Sequence, residues 1–171
     1  MKLFNRSLLS LFLWSVMLLI GVMPALPTLA VDYTLTAGNV VPGANARYRY
    51  GVSGAAITAG QLVYLDVLTN TWKLSDANVV AAADVDGISI SSVASGVNIT
   101  VVAWDDDLTL GVTTNTVLAK GQCLILSATP GAFAPFADIA NGMYLIIPAI
   151  GKSTTKVVFN AEGLRNTVVQ P

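Results

Sequence analysis

The sequence predicts an all-β fold, a compact small β-barrel or β-sandwich of short strands with an extended N-terminal arm. Three observations carry this. Beyond residue 30 the chain is rich in Val, Ile, Thr and Ala, and β-branched residues fit a pleated, half-buried surface. Long apolar stripes at the helical period are absent, and short strand-type runs recur instead. Clusters of Gly, Pro, Asn and Ser separate those runs, and such residues pre-set turns or tolerate positive φ.

The first 30 residues stand apart. Lys2 and Arg6 precede an apolar run from Leu8 to about Met23, followed by Pro24, Pro27 and Thr28-Leu29-Ala30. This is the charge, core and small-residue layout of a secretory signal peptide. The run is also close to the roughly 20 apolar residues that cross a bilayer. Three readings of this leader stand: an export signal, translation starting at Met23, or a retained hydrophobic arm. A membrane contact follows only if the leader is retained.

Residues 31–45 form the arm, broken by Gly38, Pro42 and Gly43. The β-rich domain spans 46–171. Its expected strands are Ala46–Tyr50, Leu62–Asp66, Trp72–Leu74, Gly87–Ser91, Asn98–Ala103, Thr116–Ala119, Cys123–Ser127, Met143–Ile147 and Lys156–Asn160. Alternation puts Tyr48 and Tyr50 on one face of the first strand. Ser75–Ala83 has the form of a short helical turn capped by Ser75, without an acidic residue three places after the cap.

A short repeat runs through the body. Ala59-Gly60-Gln61-Leu62-Val63-Tyr64-Leu65 matches Lys120-Gly121-Gln122-Cys123-Leu124-Ile125-Leu126 at an offset of 61. Each copy runs through a turn to an aromatic residue, Trp72 or Phe133, and then to Asp76 or Asp138. The physical reading is a Gly-Gln turn, a buried strand and a hairpin, used twice.

Composition narrows the chemistry. The chain contains no histidine and one cysteine, Cys123. Ser-His-Asp and Cys-His arrangements and a Cys/His zinc site are thereby excluded. Cys123 sits in an apolar run and reads as a small core residue. The body carries seven basic and ten acidic side chains, a net charge of −3, with the basic ones scattered singly. That is no electrostatic footprint for nucleic acid. Asp105-Asp106-Asp107 lacks the alternating spacing of a calcium loop and reads as a solvated acidic turn. Aromatics are few and spread one or two per strand, so the paired carboxylates Asp84/Asp86 and Asp105/Asp107 lack the lined cleft that glycoside hydrolysis needs. The expectation is a protein that is not an enzyme and takes no cofactor and no metal.

Several segments, taken in order, resemble the capsid decoration (cement) proteins of tailed bacteriophages. They are Val40-Val41-Pro42-Gly43-Ala44, residues 54–66, residues 72–77, Asp86-Gly87-Ile88-Ser89, Gly121-Gln122, residues 126–135 and Asp138-Ile139-Ala140-Asn141-Gly142. The likeness spans roughly residues 32–162. It implies a β-rich virion protein on the capsid exterior, bound to the major capsid protein, commonly as a homotrimer, and strengthening the shell by bridging its subunits. It also gives the arm a role: Val31, Asp32, Tyr33, Val40, Val41 and Pro42 become candidate capsid contacts, on an arm free to lie across an adjacent subunit. The rival expectation, from the form of the leader, is a secreted or surface-anchored β-domain that binds a cell-envelope partner.

Overall fold

The structure is a computed structural model that describes residues 31–113 and 118–168, with side chains through Glu162. It is all-β. Nine strands form one sheet: β1 (Arg47–Ser53), β2 (Leu62–Asp66), β3 (Thr71–Leu74), β4 (Gly87–Ser89), β5 (Asn98–Thr109), β6 (Cys123–Leu126), β7 (Phe133–Pro135), β8 (Tyr144–Gly151) and β9 (Lys156–Val168). Their order is β1-β3-β2-β4-β5-β9-β8-β6-β7, and β1 also pairs with β5. That extra pairing closes the first five strands on themselves and removes two sheet edges, which otherwise invite unwanted pairing.

The expected strands other than Thr116–Ala119 are present, and β5 and β9 run well past the expected ends at Ala103 and Asn160. Phe133–Pro135, which follows the turn of the second hairpin, is a further strand in which only three residues pair. Of Thr116–Ala119, the first two residues lie outside the described residues, and Leu118 and Ala119 are not in a strand. The Ser75–Ala83 stretch is a set of turns, not a helix. Asp76 accepts the amide of Asn78 through its side chain at 2.8 Å. That local bond competes with a helical path.

The sequence repeat is a structural repeat. Thr58 N–H donates to Gln61 Oε1 at 2.7 Å, and Ala119 N–H donates to Gln122 Oε1 at 2.9 Å. Gly60 N–H reaches Ser89 O at 2.7 Å, and Gly121 N–H reaches Gly151 O at 2.8 Å. The strand registers agree as well. Val63 faces Leu74 and Gly87, while Leu124 faces Pro135 and Ala149. Strands β2 to β5 and β6 to β9 are thus two copies of one four-strand unit, joined through antiparallel β5 and β9.

The larger core draws on both halves, with Leu62, Ile88, Val102 and Leu108 against Leu124, Phe133, Ile146 and Phe159. A smaller cluster of Ile57, Val63, Trp72, Ile99 and Val101 belongs to the first half alone. Gly51 lies flat against Trp72, where a Cβ would come within 2.6 Å of the indole Nε1. Only glycine lets β1 approach so closely.

Candidate functional site

The surface that departs most from ordinary strand behaviour is the start of β1. A half-buried strand hides every second side chain. Here Arg47, Tyr48, Arg49 and Tyr50 are all exposed, Tyr50 by 72%. The stretch starts at a bulge, where β5 carries the extra residue Ala103. Arg47 pairs with Trp104 and Tyr48 with Val102, so two consecutive residues of β1 stand over alternate residues of β5. A bulge re-aims side chains in this way.

The bulge builds a small aromatic and basic surface. The Arg47 guanidinium lies 5.3 Å from the centre of the Trp104 ring, within reach of a cation–π contact. Arg49 lies 3.6 Å from Asp86 and 3.8 Å from Glu162. A pocket of about 170 Å³ opens between Arg47, Arg49, Trp104, Asn160 and Glu162. Along Arg47–Tyr50, the edge turned away from β5 has no strand partner among the described residues. The alternation of Arg and Tyr was visible in the sequence. Trp104 was not assignable to this surface, because its placement depends on the long-range pairing of β5 with β1.

The expected contact arm behaves differently. It is extended but bound along its own body, not free. Tyr33 is buried and its N–H donates to Phe133 O at 2.9 Å. Gln122 Nε2 donates to the Tyr33 hydroxyl at 2.5 Å. Burial raises the Tyr33 phenol above its ordinary value, and the Gln122 bond opposes that rise. Val40 is buried beside Gly60. Val41 exchanges both backbone bonds with Thr109, at 3.0 and 2.9 Å. Asp32 accepts the Ser127 hydroxyl at 2.6 Å, and Pro42 is half-buried. Val31 and Val41 keep exposed side chains, 78% and 53%. The six residues therefore fall into two separate places. Val31–Tyr33 lies beside β7, and Val40–Pro42 lies along β5.

Asp105–Asp107 corrects the expectation of a solvated turn. The triplet lies within β5, and each carboxylate has its own task. Asp105 is fully buried and accepts the Gly43 amide at 2.6 Å and the Asp107 amide at 3.0 Å. Asp106 accepts from the Asn45 side chain at 3.3 Å. Asp107 pairs with Lys152 at 2.9 Å and also with Lys156, and these two cations hold its carboxyl below its ordinary range. The triplet clips the arm and the β8–β9 turn to β5. Among the described residues no group of His, Cys, Asp or Glu is placed to hold a metal ion, and no helix is long and apolar enough to cross a membrane. Residues 1–30, on which the leader readings rest, lie outside the described residues. Cys123 is half-buried at the start of β6.

No protein-family model and no curated protein matches this chain.

Proposed function

We propose that this chain is a structural virion protein that binds the outside of a phage capsid and stabilises the shell by bridging its subunits, acting as a homotrimer. The observation that carries the reading is the exposed Arg47–Tyr50 strand. Burying a Tyr side chain is favourable, so two exposed Tyr interleaved with two Arg on one strand favour a partner that covers them. Tyr, Trp and Arg are the types that dominate binding at interface centres. The open edge of β1 adds backbone groups that a partner strand can satisfy. Contact alone is then sufficient for function, without a reacting group. The resemblance of residues 32–162 to decoration proteins supplies the identity of the surface that is contacted. The bound arm changes the mechanism expected from sequence: β1 makes the contact, and the arm serves it by holding β5 in place.

The test is shell stability. Shells that lack the protein should assemble with unchanged geometry but rupture at lower temperature or under milder osmotic shock. A Tyr50→Asp, Arg47→Glu double variant should fold normally and lose shell occupancy, each hot-spot truncation removing about 2 kcal/mol. If bare shells resist as well as decorated ones, the cementing role is lost. Binding to isolated cell envelopes would then favour the surface-domain reading.

A further inference from the structure

Ten asparagines stand in this chain, and Asn141 alone is followed by glycine. The side-chain amide of an asparagine is open to attack by the backbone nitrogen that follows it. The side chain on that next residue decides how freely the nitrogen approaches. Six of the other nine asparagines precede Val, Ile or Thr, whose branched Cβ crowds the backbone. Asn5 precedes Arg6. Asn45 and Asn160 precede alanine, but both side chains are engaged. Asn45 donates to Asp106 at 3.3 Å, and Asn160 accepts the Glu162 amide at 3.0 Å. Asn141 has neither restraint, and its side chain makes no hydrogen bond among the described residues.

The local structure leaves the reacting atoms open. Asn141 and Gly142 are both exposed. No heavy atom lies within 4 Å of where a Gly142 Cβ would stand, and the Gly142 N–H has no acceptor among the described residues. Met143 N–H donates to Ala140 O at 3.2 Å, Gly142 has φ +85, and Asn141 is not among the residues of positive φ. Together these define a type II turn with Asn141 and Gly142 at its centre. Such a turn sets the Asn141 ψ to about +120°, which holds the Gly142 nitrogen away from the Asn141 side chain. Ring closure needs that nitrogen on the Cβ side, so the turn must first open. Its bridging bond, at 3.2 Å, lies at the long end of the usual range, and glycine follows the rotation without a steric penalty.

We propose that Asn141 is a site of spontaneous deamidation, gated by opening of the turn between Ala140 and Met143. The Gly142 nitrogen gives up its proton to solvent and attacks Asn141 Cγ. The N–Cγ bond forms, the Cγ–Nδ2 bond breaks, and the amide nitrogen takes a proton from water and leaves as ammonia. Water then adds to either carbonyl of the five-membered succinimide. Opening at Cγ gives aspartate. Opening at the backbone carbonyl gives isoaspartate, with the main chain rerouted through Cβ and Cγ. Nothing is oxidised or reduced. Either product places a new carboxylate on an exposed turn. The isoaspartate also adds one atom to the backbone just before the buried Met143 and the start of β8. The inference does not rest on the capsid reading.

The experiment is incubation of the full folded chain in mildly alkaline buffer, followed by peptide mass mapping and enzymatic detection of isoaspartate. The peptide that contains Asn141 should gain the mass of exchanging NH2 for OH before any other asparagine does, in aspartyl and isoaspartyl forms. The rate should rise with pH, because the attacking nitrogen must first lose its proton. The same chain unfolded in guanidinium chloride should react faster at Asn141, by the factor that the closed turn imposes. Gly142→Ala should slow the reaction about tenfold or more in the unfolded chain, where the added methyl acts only by crowding the near-attack geometry. That comparison holds whether or not the variant folds. A folded chain in which Asn141 reacts no sooner than the other asparagines would overturn the proposal, as would a Gly142→Ala rate equal to the parent's. Equal rates in the folded and unfolded chain would overturn the gating by the turn.

Discussion

The two halves of this protein share a backbone plan and differ in what surrounds it. Gly60 and Gly121 make the same turn, yet Gly60 lies under Leu35 and Val40 of the arm while Gly121 faces open space. Ser89 and Gly151 occupy the same place beside that turn. Ser89 is buried and donates its hydroxyl to Ser91 O at 2.7 Å, whereas Gly151 has no room for a side chain at all. Asp66 and Ser127 cap equivalent loops, one carrying the exposed Val67 and Leu68 and the other the small residues Ala128 and Thr129. Local hydrogen bonding is thus conserved between the halves, and surface chemistry is not. A duplicated unit can keep its turns, which depend on near neighbours, while each copy acquires its own contacts.

Substitutions can break that comparison, beginning where the halves differ most. A Cβ on Gly151 would come within 2.1 Å of the Ala119 backbone oxygen, an atom that no rotamer change can move aside. Gly151→Ala should cost about 3 kcal/mol or more in denaturant unfolding, at the upper end of overpacking effects. Ser89→Ala, at the equivalent place, should cost only about 1 kcal/mol, the loss of one hydrogen bond. Equal effects would mean that the Ala119 backbone does not crowd Gly151.

Next comes the arm. Gly60 has φ +94 and Gly121 has φ +81, so alanine is strained at either. That shared strain is on the order of 1–2 kcal/mol. At Gly60 the new methyl would also approach Leu35 Cδ1 to 3.0 Å and Val40 Cγ2 to 3.2 Å. Gly60→Ala should therefore lower the unfolding midpoint further than Gly121→Ala. It should also speed amide exchange at Val41, whose N–H is bonded to Thr109. An effect of equal size at the two glycines would show that the arm adds nothing at this site.

The smallest expected effect is at the Asp66 loop. Asp66 has its carboxyl lowered to about 2, first by the Lys73 bond and then by the Leu68 amide and the Thr69 hydroxyl. A carboxylate with a depressed folded pKa stabilises above its unfolded value, near 3.9, and that contribution disappears as pH falls towards 2. The Leu68 amide should therefore lose exchange protection between about pH 4 and pH 2. In Asp66→Asn this step should vanish, because no carboxylate remains to titrate. A step that survives in Asp66→Asn would place the titration elsewhere.

The sequence alone determined a good deal of this protein. Its strand-type runs and turn clusters identified the all-β class and most of the strands, since both depend on residues close in the chain. The Gly-Gln repeat was legible for the same reason, because a turn stabilised by a glutamine three residues on is a local event. The absence of histidine and the scattered basic residues limited the chemistry before any coordinates were needed. Tertiary structure decided what depends on distant pairing. It buried Asp105 under Gly43, 62 residues away, and so turned an apparently solvated acidic run into a clip. It closed β1 onto β5 with a bulge at Ala103, which set the half-buried Trp104 beside Arg47. It laid the arm along β5 and β7, because Tyr33 and Val40 gain more by burial in their own core than in water. Alternation and turn propensity say which face a residue shares with its neighbours. They carry no information on which strand, 50 or 100 residues away, will lie beside it.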